Sequence, residues 1–323
     1  MFNEKNVDYD IHENIAKNII FVDGLTRSGK TSLNNILPSL ENFEHTRVFT
    51  ILDLIVPGLS FGSMDEEYAK AYIRISFNEM AYNNLISRNT NFRYDDATGI
   101  FNYKEPSVYF KRLGKEEGEI VVEELRNGKH FIPIRTHEQL VNLEYLNKLD
   151  IDYKMLAIFR NPIDVSHSWW VRGLGSRYGK DPRAFTITIK YNDEGIPWYC
   201  RGVEQEWLHL NSYERCVMIV MNLIKRAVQQ YKKTLEKDRI HIFTYEDFVQ
   251  RTEEELKRIC DFIGTGTTVY TPQALLKARC PRALDADDRK RKLAEFEANV
   301  KKDLLDKLLT LSESYERHLY GLR

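Results

Sequence analysis

The sequence predicts an α/β fold of the P-loop type, with three layers in which a mostly parallel central sheet carries helices on both faces. Three observations predict it. Apolar runs of four to seven residues alternate with helical patterns, the first run leads directly into a glycine-rich turn, and the composition is that of an ordinary globular protein. With 323 residues, 42% of them apolar, the chain can bury a large core, so disorder and collagen-like structure are excluded.

The predicted strands are short apolar runs bounded by polar or turn-forming residues. They comprise residues 18–22, 48–52, 131–134, 153–159 and 240–243. Pro133 shifts its run toward an edge or irregular strand, because proline cannot donate to a sheet ladder.

The predicted helices are apolar patterns at three- and four-residue spacing between and after these runs. They cover residues 65–87, 138–149, 204–236, 249–263 and 290–319. The pattern over 204–236 predicts a core helix, and the pattern over 290–319 predicts a helix that closes the fold. We therefore expect one domain, residues 1–323, with a C-terminal helical cap over 284–323.

The charge balance limits the class of partner. The 47 Lys and Arg residues against 48 Asp and Glu residues give a formal charge of −1, which argues against an overall basic nucleic-acid binder. Any anion site must therefore be local. No C-x-x-C pair is present, so the cysteines are expected to be buried free thiols in a reducing compartment and not disulfides or metal ligands; they are Cys200, Cys216, Cys260 and Cys280.

The N-terminal sequence predicts a cytoplasmic location. Residues 1–10 contain acidic residues where a secretion signal would have a basic segment followed by an apolar one. No apolar stretch reaches the 18 or more residues of a membrane span, so we expect no membrane-spanning helix.

The glycine-rich turn is the strongest motif. Residues 24–31 match G-x-x-x-x-G-K-T, with an apolar strand before them and a helix-compatible run behind them. Backbone amides in such a turn form a concavity that fits a phosphate or a sulfate. Arg27, Lys30 and Thr31 would add charge and a hydroxyl at the same oxygens. The alternative is a purely structural turn.

The motif alone also fits an ATP- or GTP-dependent kinase. Such enzymes hold Mg²⁺ with an acidic residue at the end of a second apolar strand. The best apolar run ends instead in Arg160, and the run before Tyr245 is short and interrupted by His241. These features weaken the kinase hypothesis.

A second anion site is expected after the strand 153–159. Arg160 should lie at the carboxyl edge of the sheet, and Pro162 suits the first turn of a helix, which places Ser168 about two turns further on. Arg160 and Ser168 could then contact one phosphate. The alternative pairs Arg160 with Asp164 and leaves Ser168 packed.

Together these blocks resemble the PAPS-dependent sulfotransferases over residues 18–264. The matching segments are Gly24–Thr31, Arg135-Thr136-His137, Arg160-Asn161-Pro162-Ile163-Asp164-Val165 with Ser168, Tyr245-Glu246-Asp247-Phe248, and Asp261–Gly264. The resemblance implies PAPS (3′-phosphoadenylyl sulfate) as sulfuryl donor and adenosine 3′,5′-bisphosphate as product. Two anion sites suit such a doubly phosphorylated nucleotide.

The resemblance also implies roles for particular residues. The 5′-phosphosulfate would be bound by Thr26, Arg27, Ser28, Gly29, Lys30, Thr31 and Ser32. The 3′-phosphate would contact Arg160 and Ser168, with Tyr245 near the adenine. Arg135 takes the place of a family lysine, and His137 that of the general base.

Alternatives to this assignment concern the base and the C-terminal residues. His137 could instead be a strand-end histidine satisfied by backbone, and Glu138 is a more distant candidate base. The family usually has a small residue where this chain has Lys30, and its C-terminal Arg-Lys-Gly is missing. Residues 289–292, Arg-Lys-Arg-Lys, lie near that place but also fit a solvated helix face.

The predicted reaction is in-line transfer of a sulfuryl group from PAPS to an acceptor hydroxyl or amine. His137 would accept the proton, and Arg27, Lys30 and Arg135 would complete the catalytic set; no metal is required. Two segments, 60–115 and 170–205, are expected as acceptor-side insertions.

The acceptor is expected to be a small molecule, with a carbohydrate as one candidate. All tryptophans fall within 170–205 or directly beside it, and aromatic faces suit a sugar or an amphipathic molecule, although they could also pack the helices that carry them; they are Trp169, Trp170, Trp198 and Trp207. Two other functions stay open, a P-loop kinase and a nucleotide-binding protein without catalysis. The oligomeric state is not predicted.

Overall fold

A computed structural model describes residues 8–10 and 12–322. Most of the N-terminal segment from which a cytoplasmic location is predicted lies outside these residues. The described chain forms a five-stranded parallel sheet in the order β2-β3-β1-β4-β7 and a two-stranded antiparallel hairpin, β5-β6. The strands are β1 Ile19–Asp23, β2 Arg47–Val48, β3 Ile132–Arg135, β4 Tyr153–Phe159, β5 Thr188–Tyr191, β6 Glu194–Pro197 and β7 Ile240–Thr244.

Helices surround the sheet. They are α1 Leu33–Ile36, α2 Leu52–Ser60, α3 Glu66–Leu85, α4 Ser107–Arg112, α5 Glu119–Asn127, α6 Leu143–Leu146, α7 Pro162–Val171, α8 Leu174–Arg177, α9 Glu204–Leu208, α10 Ser212–Lys233, α11 Tyr245–Gln250, α12 Thr252–Ile263, α13 Thr271–Lys277, α14 Ala286–Asn299 and α15 Lys302–His318. Among the described residues, none of these helices is both long and apolar enough to cross a bilayer.

The three-layer arrangement follows from the alternation of side chains along β1, the central strand. Ile19 and Phe21 belong to one apolar core, which includes residues of α3 and α10, whereas Ile20 and Val22 belong to a second core with residues of α1 and α12. Because successive strand residues face opposite sides, an unbroken apolar run buries both faces of the sheet. The predicted α/β fold is therefore confirmed.

The strand register places the functional segments together. Val22 of β1 pairs with Arg135 of β3, and Asp23 pairs with Ala157 of β4. The chain therefore leaves β1, β3 and β4 at one carboxyl edge. In open parallel sheets ligands bind at this edge.

One predicted strand and several helix limits are wrong. Of the run 48–52 only Val48 lies in a strand, the two-residue β2, and helix α2 begins at Leu52. The hairpin β5-β6 was not predicted, since its short strands lack a long apolar run. The segment 138–149 forms 3₁₀ turns around the short α6, and 249–263 is interrupted at Arg251 between α11 and α12.

The two long predicted helices are also divided. Asn211 and Glu214 form a capping box that starts α10, so 204–236 becomes α9 and α10. Val300 has extended backbone angles, which divide 290–319 into α14 and α15. All four cysteines are free and buried, as predicted.

Candidate active site

The glycine-rich loop, residues 24–31, joins β1 to a short 3₁₀ turn and packs tightly against its neighbours. Gly24 and Gly29 have φ angles of 138° and 105°, in the region that favours glycine. A Cβ at Gly24 would lie 2.3 Å from the Ile158 carbonyl oxygen, and one at Gly29 would lie 2.3 Å from the Tyr245 ring. Glycine is therefore required at both positions, because the loop lies close to β4 at Gly24 and close to α11 at Gly29.

Several loop amides have partners inside the protein. The Thr26 amide donates to Glu138 Oε1 at 2.6 Å, Ser28 donates to the Leu25 carbonyl at 2.9 Å, and Ser32 donates to Gly29 at 3.1 Å. The helix predicted behind the loop is divided into the 3₁₀ turn Lys30–Ser32, the short α1 and a further 3₁₀ turn. A helix dipole can therefore contribute less to binding an anion at this loop than the sequence predicts.

Lys30 lies inside the loop. Its side chain is buried, and Nζ donates to the carbonyl oxygens of Leu25, at 2.9 Å, and Gly24. Burial lowers the pKa of Lys30, an effect that Glu138 and Asp23 oppose. The ammonium group thus stabilises the turn, and its predicted contact with a ligand oxygen stays a prediction.

Arg27, three residues earlier, is exposed and joins the two predicted anion sites. Its Nε donates to Ser168 Oγ at 2.9 Å, and Arg160 Nη1 lies 3.4 Å from the Arg27 carbonyl oxygen, which it contacts as donor. The loop and the end of β4 therefore contact each other through these side chains. Partial burial lowers the pKa of Arg27, and so do Arg172 and Arg160.

Four arginines at this edge form no ion pair within the residues that the structure describes. They are Arg27, Arg135, Arg160 and Arg172. The Nε atoms of Arg135 and Arg160 are buried without a hydrogen-bond partner. Buried or clustered charge is costly when unpaired, so the site favours an anionic ligand.

The alternative pairing of Arg160 with Asp164 is not formed. Asp164 instead binds Lys292 at 2.7 Å and Arg289 at 3.0 Å, both from α14. Lys290 and Arg291 pair with acidic residues of the same helix segment. The basic run 289–292 therefore holds the C-terminal helices against α7.

Tyr245 lies between the loop and two arginines. The Arg160 guanidinium is 4.5 Å from the centre of its ring, and that of Arg282 is 5.6 Å away and also donates to the tyrosine hydroxyl. Arg282 was not predicted as a site residue. It follows the last resembling segment by 18 positions, 264 to 282, and no motif marked it.

The site contains two adjoining cavities, and the first, which we call the donor cavity, has a volume of ≈ 450 Å³. It is lined by Thr26, Arg27, Gly29, Lys30, Thr31, Ser32, Arg135, His137, Arg160 and Tyr245. Two predicted site residues do not line it. Ser28 is buried beneath the loop, and Ser168 is linked to the cavity through Arg27.

The second cavity, which we call the acceptor cavity, has a volume of ≈ 320 Å³ and shares Thr26, Arg135 and His137 with the first. Its remaining lining is mostly apolar and comprises Val48, Thr50, Asp53, Val56, Pro57, Glu138, Gln139, Asn142, Trp169, Leu174, Tyr178, Ala184, Phe185, Thr186, Trp198 and Tyr199. His137 therefore lies where a group held in one cavity could meet a group held in the other.

The aromatic lining was predicted only in part. Trp169 and Trp198 line the acceptor cavity, and the Trp169 indole donates to the Thr26 carbonyl. Trp170 stacks on Tyr213 and Trp207 is core, so these two support the helices instead. The lining of this cavity includes no residue of 60–115, which was expected on the acceptor side, and includes residues between Val48 and Pro57 instead.

His137 is held by a carboxylate that the sequence did not reveal. Its Nδ1 lies 3.0 Å from Asp53 Oδ2, and its backbone amide donates to Asp53 Oδ1 at 3.2 Å. The ring is thus satisfied by a side chain and not by backbone. No motif marked Asp53, which lies 84 residues before His137.

Glu138, the other candidate base, lies beneath the loop. It accepts the Thr26 amide, and burial raises the pKa of its carboxyl group, with His137 and Lys30 acting in the opposite direction. Its backbone is left-handed, with φ of 56°. This geometry fits a role in fixing the loop.

Fold and site together define an α/β protein with a five-stranded parallel sheet and an arginine-lined cavity beside an aromatic one. The model of the Sulfotransferase domain family matches residues 17–281, and the chain belongs to that family. Membership supports transferase activity, in particular sulfotransferase activity. No protein among the curated sequences matches the chain significantly.

Several solved structures are similar in fold. The sulfotransferase domain from the curacin biosynthetic pathway has a TM-score of 0.47 at 13% identity, covering 93% of this chain and 98% of that one. The sulfotransferase domain of the Synechococcus PCC 7002 olefin synthase has a TM-score of 0.43 at 15% identity, covering 97% and 98%. A sulfotransferase from Alicyclobacillus acidocaldarius has a TM-score of 0.40 at 14% identity, covering 95% and 98%.

Proposed function

We propose that this protein transfers a sulfuryl group from PAPS to a hydroxyl group of a small, largely apolar acceptor. One observation carries the proposal. Arginines that form no ion pair among the described residues line one cavity, and that cavity shares His137 with a second cavity that has a largely aromatic and apolar lining. The first suits a highly anionic donor and the second a neutral acceptor.

The donor would span the two anion sites. Its phosphosulfate would lie on Arg27 and the amides of Gly29, Lys30 and Thr31, because the amides of neighbouring loop residues are already bonded within the protein. The 3′-phosphate would lie at Arg160, with Ser168 next to it. Tyr245 offers a ring face for the adenine.

In the proposed reaction the acceptor oxygen attacks sulfur as the bond from sulfur to the bridging phosphate oxygen breaks. The acceptor proton passes to His137, and the released product is adenosine 3′,5′-bisphosphate. Negative charge grows on the departing phosphate oxygen, where Arg27 and Arg135 would stabilise it; Lys30 would act there only after leaving its carbonyl partners.

The lining of the acceptor cavity supports a particular kind of acceptor. Of its ionisable groups, Arg135 and His137 also line the donor cavity, and Asp53 and Glu138 are bonded to His137 and to the Thr26 amide. Trp198 and Phe185 supply apolar surface. A phenol or an alcohol with an apolar body would fit this distribution. Sugars and amines are the other acceptors to be compared.

The test is transfer of radioactive sulfate from ³⁵S-labelled PAPS to a phenol, an aliphatic alcohol, a monosaccharide and an amine. We expect labelled product and stoichiometric adenosine 3′,5′-bisphosphate, most readily with the phenol or the alcohol. Thermal shifts with PAPS, its desulfated product, ATP and GTP provide the second measurement, because a ligand that binds only the native state stabilises it.

Two outcomes would contradict the proposal and favour a different function. Stabilisation by ATP with Mg²⁺ and none by PAPS would favour a kinase. A kinase of this type should have an acidic residue at the end of a neighbouring strand. Here β3 ends at Arg135, and β4 is followed directly by Arg160. Binding of PAPS without transfer to any acceptor would favour a non-catalytic protein. A cytoplasmic location forms part of the proposal, and the four free buried cysteines support it.

A further inference from the structure

We propose that Asp53 is a positioning residue that keeps the His137 proton on Nδ1 and so leaves Nε2 as the proton acceptor. The inference rests on the proposed function, because His137 is the base in that reaction. Asp53 occupies the second position of α2, far in sequence from β3, and it lines the acceptor cavity together with His137.

The Asp53 carboxylate accepts hydrogen bonds on both oxygens. Oδ2 lies 3.0 Å from His137 Nδ1, while Oδ1 accepts the His137 amide at 3.2 Å and the Gln139 side-chain amide at 2.8 Å. Gln139 also donates to the His137 carbonyl at 2.9 Å. Ring and backbone of His137 are therefore fixed by one carboxylate and one amide.

This arrangement determines which ring nitrogen carries the proton. A carboxylate only accepts hydrogen bonds, so a neutral imidazole facing it must place its N–H on Nδ1. Nε2 has no protein partner among the described residues. Nε2 is then the basic atom available to an acceptor hydroxyl, and Asp53 stabilises the imidazolium that forms.

Other charged groups lie close to His137 in the chain or in the same cavity. Glu138 follows it in the chain, Arg135 precedes it on β3, and Lys30 lines the same donor cavity. Their opposing signs mean that a pH profile alone would not isolate Asp53. The test therefore needs a direct observation of the tautomer.

The most informative variant is Asp53→Asn. Because the His137 amide and Gln139 both donate to Oδ1, the asparagine oxygen is expected to take that position. Its NH₂ group would then occupy the position of Oδ2 and donate to His137 Nδ1. The variant should therefore move the ring proton to Nε2, where no lone pair is left to accept the substrate proton.

The experiment measures the His137 tautomer by long-range ¹H–¹⁵N NMR in the wild type, Asp53→Asn and Asp53→Glu. We expect the Nδ1–H form in the wild type, the Nε2–H form in Asp53→Asn, and partial return to Nδ1–H in Asp53→Glu. With PAPS and an acceptor, kcat of Asp53→Asn should fall by about 10²–10⁴ with KM values little changed, since the general base is lost.

Asp65→Asn is the matched control, because Asp65 is the exposed N-cap of α3 and asparagine caps helices well. It should leave tautomer and kcat unchanged. An Nε2–H form in the wild type, or an unchanged tautomer in a folded Asp53→Asn, would overturn the inference. If the wild type transfers no sulfate, the proposed function fails, whereas the NMR result still decides the role of Asp53.

Discussion

The donor and acceptor cavities share three residues and differ in construction. The donor cavity is formed mostly by a continuous loop and by residues directly after β3 and β4. The acceptor cavity takes its lining, apart from Thr26, from separate segments between Val48 and Tyr199. An anion is bound by backbone amides and point charges that need short motifs, whereas an apolar acceptor is bound by shape, which many sequences can provide.

The largest effect is expected at the junction of the two cavities. His137→Ala removes the proposed base, so kcat should fall by about 10²–10⁴ while the KM values for PAPS and acceptor change little. Steady-state kinetics with both substrates varied provides the measurement. His209→Ala, at an exposed histidine beyond α9, should behave as the wild type. Near-normal turnover of His137→Ala would remove the residue on which the two-cavity scheme depends.

The donor side was largely predicted from the sequence for a physical reason. The glycine turn needs particular φ angles and close backbone approach, so its residue types are restricted. Arg160 could be placed because strands of a parallel sheet end at one edge. The direction of Lys30 could not be predicted, because its ammonium can reach either a ligand or the loop carbonyls without any change in the motif.

For the acceptor cavity, the sequence predicted only that aromatic residues would contribute to its lining. The contribution of α2 depends on where a single helix packs, and local spacing gives no information about it. Asp53 illustrates this, since only the tertiary fold brings it to His137. Helix boundaries were missed for a related reason: the capping box at Asn211 and the extended Val300 interrupt patterns that continue in the sequence.

The next largest effect should separate the two cavities by ligand. Arg160→Ala removes from the donor cavity an arginine that forms no ion pair among the described residues, and a hydrogen bond to a charged group contributes about 1.5–3 kcal/mol. Binding of adenosine 3′,5′-bisphosphate should weaken by roughly 10- to 150-fold in calorimetry, since each 1.4 kcal/mol is about tenfold. The KM for the acceptor should stay nearly constant.

Arg289→Ala is the matched control for Arg160, because both arginines lie near Asp164 and only Arg289 pairs with it. We expect this control to lower thermal stability through the loss of its contacts to Asp164 and Glu316, with nucleotide affinity unchanged. If the two variants affected nucleotide binding equally, the distinction between binding and supporting arginines would be wrong.

The smallest effect is expected on the acceptor side, at Phe185. This side chain is 82% exposed yet lines the acceptor cavity, so its ring is available to be covered by a bound acceptor. Full burial of such a side chain contributes about 1.5–3 kcal/mol, and partial cover by a small acceptor about 1 kcal/mol. Phe185→Ala should therefore raise the acceptor KM by about fivefold and leave the KM for PAPS unchanged.

Phe92→Ala provides the comparison for Phe185, because Phe92 is also exposed but packs against Phe110, outside the lining of either cavity. The acceptor KM of Phe185→Ala divided by that of Phe92→Ala measures how much the ring of Phe185 contributes to acceptor binding. The effect should grow with the apolar size of the acceptor, since a larger body covers more of the ring. A fivefold change that was the same for a short alcohol and a bulky phenol would mean that Phe185 acts on the loop conformation and not by contact.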